Sequence, residues 1–167
     1  MSVNRTISVL AVTLALVAGP VGASAAGKSG IKGPAASSIA EQTLSAVEVD
    51  NLMYMREEEK LARDVYLTMF DAWGLAVFDN IAASEQTHTD SVKDMIEKYR
   101  LADPVVDDSI GVFVNQELAT LYAELIARGT RSSLEALQVG AYIEEVDMVD
   151  LAQAIEATDN ADIRQLY

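Results

Sequence analysis

From Ser45 onward, apolar side chains recur at steps of three and four, and no run of Val and Ile alternates with polar residues over a strand's length. That spacing predicts helices. A Ser45-x-x-Glu48 capping box opens a first long helix that runs to Trp73 and stops at Gly74. A second starts near Val77 and runs to about Arg100, ahead of Asp103-Pro104. Asn115 caps a short helix from Gln116 to about Arg128, with Gly129 as its stop. Ser132-x-x-Glu135 is another capping box, opening a third long helix to about Ala157, and Asp159 caps a last segment of barely two turns that reaches Tyr167. Three long helices with one long connection between the second and third predict an all-α, ferritin-like bundle with a single long crossover, its fourth helix short or truncated.

The apolar stripes carry the chemistry. On the first long helix the stripe is Leu52, Met55, Glu59, Ala62, Tyr66, Met69 and Trp73; on the second it is Ile81, Glu85, His88, Val92, Met95 and Tyr99. On the third it is Leu134, Leu137, Ala141, Glu144, Met148, Leu151 and Ile155. Such stripes face a core, so Glu59, Glu85, His88 and Glu144 are expected to converge there at similar depth. Asp147, one turn beyond Glu144, can join them. Glu57 and Glu58 lie off the stripe and are expected on a solvated face.

Burying several carboxylates costs several kcal/mol each unless they protonate, pair or hold a cation. Carboxylate oxygen and imidazole nitrogen both suit a divalent or trivalent metal. Glu85-x-x-His88 places its two side chains on one helical face, ~4.5 Å apart along the axis. Salt bridging is the rival remedy: Glu59 has Arg63 at i+4 and Arg56 at i−3, whereas Glu85 and Glu144 have no basic residue at those spacings.

Composition narrows the choice. The chain has 167 residues, enough for one ordinary domain, and its net charge of −14 repels phosphate backbones, so nucleic acid is not expected as a partner. With no cysteine, disulfides, thiol nucleophiles, iron–sulfur clusters and Cys-type zinc sites are excluded; with one histidine, so is any site needing two imidazoles from one chain. Residues 1–26 read as a secretory signal: Arg5, an apolar run from Ile7 to Ala18, and a small-x-small cleavage site at Ala23-Ser24-Ala25. That run is too short for a stable membrane anchor, where roughly 20 apolar residues are needed. Residues 27–44, rich in Gly and Ser, read as a flexible linker ahead of a helical domain over 45–167, and the expected location is secreted or periplasmic.

Glu59-Lys-Leu-Ala62-Arg63-Asp64-Val-Tyr66 resembles the first-helix signature of rubrerythrin-type, ferritin-like diiron proteins, and Glu85-Gln-Thr-His88 resembles their second-helix Glu-x-x-His. The stretch from Leu52 to Tyr167 is more similar still to a family of mostly secreted prokaryotic ferritin-like proteins of unknown function. The phrases shared with that family are Arg56-Glu-Glu-Glu-Lys-Leu-Ala-Arg-Asp-Val-Tyr66, Ile81-Ala-Ala-Ser-Glu-Gln-Thr-His88 and Ile143-Glu-Glu-Val-Asp147. The resemblance implies a bound metal, iron first and manganese or zinc in its place, held by Glu59, Glu85, His88 and Glu144, with Glu145 or Asp147 competing for the last position. It also implies that any reaction would be diiron-type redox chemistry with oxygen or peroxide. Rubrerythrin-like proteins carry a second Glu-x-x-His on a fourth helix, which this sequence lacks. The resemblance therefore leaves three outcomes: a one-imidazole site, residues beyond Tyr167, or a second copy of the chain completing the bundle. The alternative is a non-catalytic structural or interaction module with salt-bridged core glutamates.

Overall fold

In a computed structural model, residues 43–167 are described; the expected signal segment and most of the expected linker lie outside them. Five helices follow one another with no strand among the described residues: α1 (Ala46–Trp73), α2 (Ala76–Lys98), α3 (Gln116–Gly129), α4 (Ser133–Glu156) and α5 (Ala161–Leu166). No helix there is long and apolar enough to cross a membrane.

The caps explain the boundaries. Ser45 and Glu48 satisfy each other's backbone N–H groups at the start of α1, and Gly74, in the left-handed region at φ 62°, ends it by donating to the carbonyl of Phe70. Only Gly74 and Leu75 separate α1 from α2, so the two run as a tight helical hairpin. Three caps differ from the pattern-based expectation. Gly129 is the last residue inside α3, with Thr130 as its cap. Asn160, not Asp159, caps α5, because its side chain accepts from the N–H groups of Asp162 and Ile163. Ser132 caps α4, but the Glu135 carboxylate turns to Arg128 at 2.7 Å instead of closing the box.

α1 is the axis of the described helices. α2, α3 and α4 all pack on it, α3 and α4 pack on each other, and α5 rests on α2. The connection from Tyr99 to Asn115 also binds α1, so every residue from Met55 to Tyr66 is buried. One apolar cluster gathers Leu61, Val65, Tyr66 and Met69 of α1 with Phe78, Leu118, Leu125, Val139 and Ile143; a second gathers Leu52 and Met55 with Val92, Ile96 and Ile163.

The stripe expected to face inward on α4 does not. Leu134 and Met148 are 64% and 62% exposed, Leu137 and Ala141 are exposed too, and the buried face is Ala136, Val139, Gly140, Ile143 and Ala154. Small side chains set this rotation, because they let α4 approach the bulky side chains of α1. A Cβ at Gly140 would stand 3.1 Å from the Tyr66 ring, and the Tyr66 hydroxyl donates to the Gly140 carbonyl at 3.1 Å. The stripe on α2 is likewise turned: Phe78, Ala82, Glu85, Thr89, Val92 and Ile96 are buried, while Ile81, Met95 and Tyr99 are half-buried and His88 lies at the edge.

Candidate metal centre

α1 and α2 are locked together around Glu59 and Glu85 by two arginines. The Arg56 guanidinium donates to Thr89, whose hydroxyl donates back to the Arg56 carbonyl at 3.1 Å, and its Nε reaches Asp103 at 3.2 Å. Arg63 reaches Gln86 at 2.8 Å, Asp64 at 2.8 Å and Asp108 at 2.8 Å. Both guanidiniums that helical spacing offers to Glu59 are thus committed elsewhere. The salt-bridged reading of Glu59 gives way to a different arrangement: the two cations clamp the hairpin and the 99–115 connection.

Between the clamps, Glu59, Glu85 and His88 each bring one ligand atom within 4.8 Å of the others. His88 Nδ1 lies 3.1 Å from Glu85 Oε2 and 3.5 Å from Glu59 Oε2. Glu59 Oε2 is buried and makes no hydrogen bond. The His88 side chain is 51% exposed, so the group lies at the bundle's edge, with an open side, instead of deep in the interior.

α4 supplies the rest. Glu144 is exposed, yet its Oε1 accepts from the Tyr66 hydroxyl at 2.6 Å. That contact makes Tyr66 an orienting neighbour of the site as well as a core residue. Burial, then the Glu144 acceptor, pushes the phenol's pKa far up, which keeps it a donor. Asp147, half-buried, aims an unbonded buried Oδ1 inward. Glu145 is exposed. The register thus favours Glu144 and Asp147 over Glu145.

Uncompensated charge shows in the acidities. Burial, then the Asp147, Glu85 and Glu144 carboxylates, pushes Glu59 up to about 9. Burial, then Glu85 and Glu144, pushes Asp147 up to about 6. Glu85 is raised by burial, against the opposing pull of its neighbours Glu59 and His88. For both Glu59 and Asp147 the folded value stands above the unfolded one, so the fold favours the protonated form. Their contribution to stability is complete below about pH 4 and is lost as pH rises, through 6 for Asp147 and through 9 for Glu59. Carboxylates held below their usual range, such as Glu48 and Asp108, act only under about pH 4.5 and leave that window alone. The protein kept in EDTA should therefore melt at steadily lower temperature from about pH 5 to pH 9 by circular dichroism. A flat or rising profile would contradict this electrostatic account.

Two acids were missed as buried groups. Glu57, expected in solvent, is buried and accepts from the N–H groups of Val114 at 2.6 Å and Asn115 at 3.0 Å, fixing the chain where it enters α3. Glu58 is also buried, and neither of its oxygens has a hydrogen-bond partner. No periodic signal could have found them, because α1 is enclosed on every side between Met55 and Tyr66.

Residues 48–167 match an uncharacterized protein domain, DUF2202. Over 131 residues the chain is 53% identical to the uncharacterized protein MJ0754 of Methanocaldococcus jannaschii, across 78% of this chain and 71% of that protein. The crystal structure of the hypothetical protein MJ0754 is similar at a TM-score of 0.75, covering 78% of this chain and 75% of the crystallised one.

Proposed function

We propose, for a chain that belongs to the DUF2202 family, a metal-binding function, with iron as the first expected ion and manganese or zinc as substitutes. The observation that carries it is Glu59 Oε2: buried, without a hydrogen bond, and facing a Glu-x-x-His pair whose ligand atoms lie within 4.8 Å of its own. A mixed carboxylate and imidazole set suits these ions. A buried carboxylate that no arginine neutralises is the arrangement a cation relieves.

Glu59, Glu85 and His88 would hold the ion, with Glu144 and Asp147 approaching from α4. Bound iron would supply redox chemistry toward oxygen or peroxide, as expected of a ferritin-like protein. The chain's own part is positional. The Arg56–Thr89 and Arg63–Gln86 clamps fix the carboxylates of α1 against those of α2. Tyr66 holds Glu144 through its hydroxyl, and the half-exposed His88 leaves one side open to solutes. With residues 1–26 acting as a cleaved secretory signal, this chemistry would lie outside the cytoplasm.

The test is elemental analysis of protein purified after iron loading, with the double variant Glu85→Gln, His88→Ala alongside. Stoichiometric metal in the parent and its loss in the variant are expected. Equal metal content in both would overturn the proposal.

A further inference from the structure

Glu58 is 5% exposed, and both its oxygens are buried without a hydrogen bond. It does not belong to the Glu59–Glu85–His88 group, whose ligand atoms already stand together. The groups that face it are the α4 carboxylates Asp150 and Asp147, with Glu59 beside it on α1. Asp147 and Asp150 are three residues apart on α4 and so share a face. Asp147 also carries an orphaned buried oxygen. A buried acid whose strongest charged neighbours are three more acids is costly as it stands.

We propose that Glu58, Asp147 and Asp150 form a second cation site next to the first, for a hard divalent ion of the magnesium, calcium or manganese class. The donor set is all carboxylate oxygen, with neither nitrogen nor sulfur, and that chemistry selects hard ions over softer ones. Among the described residues only the Glu59–Glu85–His88 group holds its ligand atoms within 4.8 Å, so an ion at Glu58 has to draw the two aspartates in by side-chain rotation. Asp150 is half-buried, which leaves it room to turn. The site extends the metal-binding reading by a second ion, and it touches that reading through Asp147, which faces both groups, and through Glu59, which adjoins Glu58.

Manganese is the probe, counted by loss of the free-ion electron paramagnetic resonance signal from the EDTA-stripped, dialysed protein. The parent is expected to bind two ions per chain. Glu58→Gln should bind one, still lost when His88→Ala is added, whereas His88→Ala alone should keep the ion that calcium displaces first. Asp150→Asn, at a less enclosed position, should repeat the loss seen with Glu58→Gln and guards against a folding artefact, which melting in EDTA detects. If Glu58→Gln and Asp150→Asn bind as many ions as the parent, with affinity within about twofold, the second site is overturned while the first stands. If a single ion survives His88→Ala but not Glu58→Gln, this site stands and the histidine site falls. A single ion lost in both variants means one fused centre, and overturns the inference of a separate site.

Discussion

Ferrous iron added to the EDTA-stripped protein near neutral pH should raise its melting temperature, and Glu59→Gln should remove that rise. A ligand that binds only the folded state stabilises it by about 2.7 kcal/mol when its free concentration is a hundred times Kd. For a domain of this size that corresponds to roughly 10 °C. The glutamine is the informative replacement because it keeps the shape of Glu59 but takes away the charge that faces Asp147, Glu85 and Glu144. Without metal, the variant should melt no lower than the parent near pH 5 and increasingly higher from there to about pH 9, because the parent must take up on folding a proton that its unfolded chain has already lost. The two effects have opposite signs in one variant. A Glu59→Gln protein that is destabilised in EDTA, and still gains the parent's full rise with metal, would show that Glu59 is a packing residue and not a ligand.

The helices were legible because their ends are written locally. Ser45, Gly74, Asn115 and Ser132 each act through bonds to backbone groups within four residues, so a one-dimensional reading finds them. Glu85 and His88 were legible for a similar reason, as an i, i+3 pair meets on any helix. What failed was rotation about helix axes. On α4 the larger apolar residues Leu134, Leu137 and Met148 form the more hydrophobic stripe, yet Gly140 and Ala136 go inward because the bulk of Tyr66 and Met69 on α1 already fills that space. Packing against a large neighbour selects small residues, and hydrophobicity alone does not register that choice. Glu144 still reaches the site, but from the rim and through a tyrosine hydroxyl. Asp147 is the residue aimed more directly inward.

The other large effect concerns an acid of α1 that is buried for the opposite reason. Asp64 is fully buried and completely partnered: it accepts from Lys60 Nζ at 2.6 Å, from Arg63 at 2.8 Å and from the Gly111 N–H at 2.9 Å. Lys60 is equally buried, and its remaining contacts are the Ser109 carbonyl at 2.9 Å and the ring of Phe113. Asp64→Ala would leave that ammonium in the interior without its counter-ion and release the 99–115 connection at Gly111. Breaking a buried pair from one side costs about 3–5 kcal/mol, a large fraction of a small domain's stability. Urea unfolding should therefore show a much lower midpoint for Asp64→Ala than for Glu59→Gln, and metal should not restore it. The contrast separates two kinds of interior acid on one helix. Glu57 and Asp64 have their oxygens engaged by backbone and cationic donors, and removing them should harm the fold. Glu58 and Glu59 carry orphaned oxygens, and removing either should spare the fold while costing the cation held at that residue. A loss in Asp64→Ala no greater than about 1 kcal/mol would mean that burial and bonding do not distinguish the two pairs, and the assignment of the orphaned acids to cations would lose its physical basis.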